Sequence, residues 1–254
     1  MVRHCGEEKM SRFFVDAADV GEKSIFIRSK EDIKHLRKVL RLKEGSIIEV
    51  SDSSQWEYTA EILSVDEEQV EAKILDKQRF AREPQVQVTL FQGIPKQSKM
   101  EAIVQKTVEL GIHAVVPVFM ERTVVVDKGN FGKKTERWQK ISAEAVKQCR
   151  RGIIPQIGCA LQFAQMKEQL KNFDLVLFPY ENETGRTIKD CLRSLEEKPG
   201  SAAIIIGPEG GFSDKEADEL KALGAECVSL GRTILRTETA GPAALAMVMY
   251  ELES

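Results

Sequence analysis

The period of the apolar residues changes once along the chain, near residue 80, and that change limits the fold more than any single motif. Before it, RFFV (12–15), SIFI (24–27), SIIEV (46–50), WEYTAEILSV (56–65) and QVEAKIL (69–75) are short, β-rich runs, several with the alternation of a half-buried strand. One helical stretch interrupts them. In EDIKHLRKVLR (31–41), Ile33, Leu36 and Leu40 share a face at i, i+3 and i+7, and Lys34, Arg37 and Arg41 share another. From residue 86 strands and helices alternate, and DLVLFPY and SAAIIIG are continuous apolar runs of the kind buried on both faces of a parallel sheet. The polar, proline-containing QRFAREPQ (78–85) lies between the two regimes. The pattern predicts a small β-barrel with one helix over 1–78 and an α/β domain with a mainly parallel sheet over 79–254. Capping boxes are expected at Ser98/Glu101 and Ser213/Glu216, with Gly111 and Gly224 ending those helices.

A chain of 254 residues can bury a sizeable core, and 42% hydrophobic with 30% charged residues is a globular composition. No apolar run approaches a membrane span, and MVRHCGEEKM lacks the apolar stretch of a signal peptide, so the expected compartment is the cytoplasm. Cysteines 5, 149, 159, 191 and 227 form no CxxC pair and read as reduced thiols. With only His4, His35 and His113 beside them, no metal site is expected, and the absence of G-x-S-x-G leaves a serine hydrolase without support. A net charge of −3 conceals two basic segments, net +5 over 28–43 and net +6 over 128–151. Two basic segments on an acidic chain read either as solvated helix faces or as two contact surfaces for one polyanion.

Three loops carry the chemistry. IIIGPEGGFSDKEADEL (204–220) is a strand, a glycine-rich turn and a helix, the layout of a ligand loop. It lacks the lysine of a phosphate-binding P-loop and the spacing of a dinucleotide fingerprint, and Glu209 at its centre would repel a pyrophosphate. A neutral or cationic ligand fits better, and S-adenosylmethionine, with a sulfonium, an ammonium and no phosphate, is one. The second loop, SLGRTILRTETAGPAAL (229–245), leads from a strand into a helix that Thr237 or Thr239 could cap. Glu238 lies near the helix's positive end, Pro242 is read into its first turn, and small residues after 239 would let another backbone pass close. The third, LFPYENET (177–184), follows a buried strand ending at Pro179. Ligands of open α/β sheets gather at such carboxyl ends, so the three loops should line one crevice.

KMEAIVQKTVELG, RWQKISAEAVKQCRR, IIIGPEGGFSDKE and LGRTILRTETA, in that order, together with HLRKVLR (35–41), resemble the ribosomal RNA small subunit methyltransferase E family over nearly the whole chain. The GPEGG loop alone is shared with other SPOUT-type methyltransferases; its combination with LGRTILRTETA and the N-terminal signature is more specific. The resemblance implies a SPOUT domain with a C-terminal trefoil knot, a PUA-like RNA-binding barrel and a homodimer with its active site near the subunit interface. It implies S-adenosylmethionine-dependent methylation of N3 of uridine 1498 in 16S rRNA. The cofactor would be cradled by Phe178, Pro179, Tyr180 and Glu181, by Gly207, Pro208, Glu209, Gly210 and Gly211, and by Leu230, Gly231, Thr233, Ile234, Leu235 and Arg236.

Uridine N3 must lose its proton before it attacks a methyl group, and no catalytic cysteine is needed. Arg236, always charged and rich in donors, is the first candidate to stabilise the anion. Glu238 is a weaker candidate as proton acceptor, its other job being to stabilise the helix start. N3 lies on the pairing edge, so the target base must be unpaired or flipped out. RNA phosphates would be gripped by Arg12, His35, Arg37, Lys38 and Arg41 from the first domain and by Lys99, Lys140, Lys147, Arg150 and Arg151 from the second, with 16S rRNA in the small subunit as partner. A SPOUT enzyme methylating ribose 2′-OH, a non-catalytic RNA-binding assembly factor and a nicotinamide oxidoreductase are the rival readings. Missing G-x-G-x-x-G counts against the last.

Overall fold

The computed structural model describes residues 11–80, 82–127, 129 and 131–253, so the readings placed on His4, Cys5, Lys128 and the opening ten residues fall outside them. The chain divides into two compact units, but not at one point: the first runs to Glu83 and also takes in Arg150–Ile154, and the second is Pro84–Cys149 with the chain from Pro155 onward.

The first unit is a mixed five-stranded sheet. Strands β1 (Arg12–Phe14), β2 (Ser24–Ile27), β3 (Ile47–Ser51), β4 (Trp56–Val65) and β5 (Val70–Arg79) lie in the order β1-β3-β4-β5-β2, with β1 and β2 at the two ends of the sheet. Irregularities between Thr59 and Ala60 and between Ile62 and Ser64 break the register of the β4–β5 ribbon, and bulges of this kind bend a strand and increase its twist. The alternating residues do what their period demands: Ile25 and Ile27, Ile48 and Val50, and Ala60 and Ile62 are all buried.

The helical stretch differs from its expected form. A short helix α1 (Lys30–Lys34), capped by Ser29 Oγ accepting from Asp32 N–H, continues into a π-wound turn, His35–Leu40. Arg41 ends it in the left-handed region at φ 53°. The apolar stripe survives, with Ile33 and Leu36 buried and Leu40 packed against the same core. Arg37, Lys38 and Arg41 stay exposed beside His35.

The second unit is a parallel sheet flanked by helices. Its strands are β6 (Gln87–Gly93), β7 (Ala114–Phe119), β8 (Gln156–Ile157), β9 (Leu161–Gln162), β10 (Leu175–Pro179), β11 (Ser201–Ile206) and β12 (Glu226–Val228). The order is β12-β10-β11-β6-β7-β8, with β9 also pairing with β7, and every pair is parallel. From β6 the chain builds outward through β7 and then returns to β6's other side, where β11 inserts between β10 and β6. This reversal is a topological switch point, and it gathers the carboxyl ends of β10, β11 and β12 on one edge of the sheet.

Helices α2 (Lys99–Glu109), α3 (Phe131–Cys149), α4 (Phe163–Leu170), α5 (Ile188–Arg193), α6 (Asp214–Ala222) and α7 (Thr237–Leu252) complete the unit. Gly111 and Gly224, at φ +97° and +82°, follow α2 and α6 as expected. The Ser213/Glu216 capping box forms. The Ser98/Glu101 box does not: Ser98 is not extended and makes no side-chain cap bond, and the Glu101 carboxylate pairs with Arg137 instead. Nor does Thr237 or Thr239 cap α7, whose N-cap residue is Arg236. Pro242 is the sixth residue of that helix rather than part of its first turn.

Candidate active site

The three strand-end loops meet around a cavity of about 850 Å3 in the second unit, within the range of small-molecule sites. Pro179, Tyr180 and Glu181 line it from the end of β10, Gly207, Pro208, Glu209 and Gly211 from the end of β11, and the whole run from Ser229 to Glu238 from the segment between β12 and α7. Leu230, Gly231, Thr233, Ile234, Leu235 and Arg236, all in the expected set, therefore line the cavity. Two residues do not. Phe178 is fully buried and packs edge-on against Phe212, which is the ring that reaches the cavity. Gly210 faces outward, its carbonyl accepting from Arg122 Nη1 at 2.9 Å.

The loops are held by polar contacts to buried groups. Thr237, the first residue of α7, donates from Oγ1 to the Gly207 carbonyl at 2.7 Å and accepts from Gln92 Nε2 at 2.9 Å, joining α7, the GPEGG loop and β6. Gly93 allows this closeness, because a Cβ there would lie 2.5 Å from Pro208 N. The small residue Gly241 likewise lets α7 pack on β6, against the side chains of Leu90 and Gln92. Buried Glu216 accepts from Ser213 N at 3.0 Å with one oxygen and from Glu121 N at 2.8 Å with the other, pinning the far side of the loop. Glu183 spends its carboxylate on the Gly185 and Arg186 amides, which hold it below the usual carboxylate range and shape the turn after β10.

The charges at the cavity differ from the expected arrangement in two respects. Glu209 is not a free anion at the centre of the turn. Its Oε1 accepts from Lys96 N at 2.9 Å and lies 3.1 Å from Lys99 Nζ. Burial pushes its pKa upward, but the Lys96 amide and Lys99 outweigh that and hold it low. Lys99, assigned from sequence to RNA phosphates, also lies 3.2 Å from Glu238 Oε2 and is engaged by both carboxylates. Its ammonium is held above the ordinary lysine range, chiefly by the Glu209 bond. Glu238 is held low by its own backbone N–H and by Lys99. Repulsion of a pyrophosphate by Glu209 is thus weaker than the sequence alone suggests. The cavity as a whole still sets Glu181, Glu183, Glu209 and Glu238 against Lys99, Arg232 and Arg236, and that balance does not favour a polyanionic ligand.

Sequence reasoning missed Glu183, Thr184, Thr187, Ile206, Phe212, Ser229, Arg232 and Ala240 among the lining residues. Arg232 was legible, since it lies inside the quoted loop, whereas Thr187 needed the α5 capping geometry that turns its residue toward β12.

Of the basic residues, Arg12 and Arg151 are corrections. The Arg12 guanidinium, almost closed to solvent, pairs with Glu49 at 3.0 Å and Glu57 at 2.6 Å and donates to the Arg150 and Arg151 carbonyls. Arg151 pairs with Glu83 at 2.7 Å. Both hold the first unit together instead of facing a ligand, and Arg150 and Arg151 belong to that unit, not to the second. Lys140 and Lys147 are exposed on α3, and Arg150 is exposed beyond its end. Among the described residues no cluster of three or more histidine, cysteine or acidic side chains is placed to hold a metal, and no helix is long and apolar enough to cross a membrane.

Residues 82–249 match the model of an RNA methyltransferase domain, and residues 29–75 match that of an RNA methyltransferase PUA domain. The ribosomal RNA small subunit methyltransferase E of Bacillus subtilis (strain 168) is 32% identical over 250 residues, covering 96% of this chain and 98% of the relative. A methyltransferase of Legionella pneumophila solved with bound S-adenosylmethionine superposes with a TM-score of 0.82 at 31% identity, covering 95% and 97% of the two chains. The ribosomal RNA small subunit methyltransferase E of Neisseria gonorrhoeae, bound to S-adenosyl methionine, gives 0.81 at 28% identity with the same coverage. With its α/β sheet, its PUA domain and these relatives along almost its full length, the chain belongs to the ribosomal RNA small subunit methyltransferase E family of SPOUT methyltransferases.

Proposed function

We propose that this chain binds S-adenosylmethionine in the cavity formed by the three loops and methylates N3 of uridine 1498 of 16S rRNA within the small ribosomal subunit. The observation that carries the reading is the convergence of Pro179–Glu181, Gly207–Gly211 and Ser229–Glu238 on one cavity with Arg236 and Glu238 at its wall. The residues present suit the cofactor: the volume is adequate and the acidic groups outnumber the basic ones. S-adenosylmethionine supplies the electrophilic methyl group.

The protein's own part is positioning and electrostatics. The loop backbone from Leu230 to Leu235 and the Gly207–Glu209 turn form the walls, and Tyr180 and Phe212 supply aromatic surface. Arg236, exposed at the start of α7, stabilises the negative charge that spreads to uracil O2 and O4 when N3 loses its proton. Glu238, held low by its own amide and by Lys99, serves as a fixed negative charge, and the N3 proton passes to solvent water. His35, Arg37, Lys38 and Arg41 on the first unit, Lys140 and Lys147 on α3, and Arg150 provide exposed positive charge for RNA phosphates. The chain acts in the cytoplasm as a homodimer, and its C-terminal segment forms the trefoil knot of SPOUT enzymes.

Nucleoside mass spectrometry tests this. The protein and S-adenosylmethionine are incubated with small subunits from cells lacking the homologous enzyme, and the RNA is digested. The expected product is 3-methyluridine. A 2′-O-methylated nucleoside would reject the assigned atom, and no product together with no cofactor binding would leave an RNA-binding assembly factor as the reading.

A further inference from the structure

One cation at the cavity sits where helix electrostatics oppose it. Lys99 is the first residue of α2, and a positive charge there faces the positive end of the helix dipole. It is nevertheless fixed in place, with Nζ 3.1 Å from Glu209 Oε1 and 3.2 Å from Glu238 Oε2. Those carboxylates come from two other elements, the turn after β11 and the first turn of α7. The Lys96 amide binds the Glu209 oxygen that Lys99 also approaches, so the whole β6–α2 connection is fastened to the GPEGG loop. One ammonium shared by two carboxylates leaves one uncancelled negative charge at the wall.

We propose that Lys99 is a positioning residue of the cofactor site: by tying Glu209 to Glu238 it presents a single net negative charge to the cavity and thereby favours a ligand with a sulfonium over one with a neutral sulfur. This deepens the reading given above and rests on it. Without Lys99 the two partly exposed carboxylates repel and turn apart toward solvent, so that neither stays aimed at the cavity. Arg236 and Arg232 from the α7 approach, Glu181 and Glu183 from the turn after β10, and Lys96 beside Glu209 are the other charged groups facing the cluster. None of them bridges both carboxylates.

The test is equilibrium titration of the full chain with S-adenosylmethionine and, separately, S-adenosylhomocysteine between pH 4 and 8, for the unaltered protein, Lys99→Met and Lys99→Arg. The unaltered protein should prefer the sulfonium ligand. Lys99→Met should lose about tenfold in affinity for S-adenosylmethionine and much less for S-adenosylhomocysteine. Its affinity should also fail at a higher pH on acidification, because Glu209 and Glu238 lose the ammonium that, after the backbone amides, helps to hold them low. Lys99→Arg should restore the preference. Equal losses for both ligands with an unmoved acid limb, or no loss at all, would overturn the proposal. Should Lys99→Met not fold, Glu238→Gln serves in its place, and a ligand preference unchanged from the unaltered protein would again overturn it. Failure of the unaltered protein to bind either ligand would instead refute the cofactor reading, so the two failures are told apart.

Discussion

At the scale of single residues, the cavity wall separates groups that build the site from those that face a ligand. Arg236 has an exposed guanidinium at the start of α7, and its removal leaves the loop contacts of Thr237 untouched. Arg236→Ala should therefore lower the rate of methyl transfer by roughly 10²–10³-fold while cofactor affinity changes little, as read by single-turnover kinetics beside a binding titration. Lost cofactor affinity in that variant would contradict this division of roles. Thr237 is the opposite case. It is buried, and its hydroxyl serves both Gln92 and the Gly207 carbonyl. Thr237→Val keeps the shape and removes both bonds, so it should cost about 2 kcal/mol in a denaturant titration and weaken cofactor binding as the GPEGG loop loosens.

At the scale of elements, the strongest local signals held and the long-range ones could not be seen. Ser213 and Glu216 are three residues apart and cap α6 from within their own turn. Ser213→Ala should cost about 1 kcal/mol in thermal or chemical unfolding. Ser98 and Glu101 have the same spacing, but Arg137, far along the chain, takes the carboxylate, and nothing in the local sequence announces such a partner. Buried runs such as SAAIIIG are readable as parallel strands, yet their order is not, because period and apolarity state that a strand is buried without naming its neighbours. The winding of His35–Leu40 was equally hidden: the apolar stripe is compatible with α or π geometry, and the left-handed backbone of Arg41 leaves no compositional mark. The exposed basic side chains of this turn should make RNA binding salt-dependent. Charge reversal at Lys38 should weaken it and lower the slope of log affinity against log salt, measured by fluorescence anisotropy, without altering cofactor affinity.

For the whole molecule, the main correction concerns arginines. A sequence count treats Arg12 and Arg151 as charge available to RNA, whereas both are consumed in closing the first unit. The five residues Arg150–Ile154 leave the second unit after α3, join the first, and return. They are held by Arg12 on the Arg150 and Arg151 carbonyls, by Ser51 Oγ on the Gly152 carbonyl at 2.6 Å, and by Glu83 accepting from the Gly152 and Ile153 amides. Glu83→Ala removes the carboxylate that accepts from the Arg151 guanidinium and from the Gly152 and Ile153 amides, and should cost about 3 kcal/mol. Hydrogen exchange should show the loss in the first unit, with α2 and β11 keeping their protection. The same stitch bears on how such a protein can be cut and inherited. A gene split between Glu83 and Pro84 yields an RNA-binding fragment lacking the segment that closes it, and a partner fragment carrying that segment with nothing to close. The RNA-binding unit is thus no movable cassette: recombination that exchanges it must carry two separated stretches of coding sequence at once.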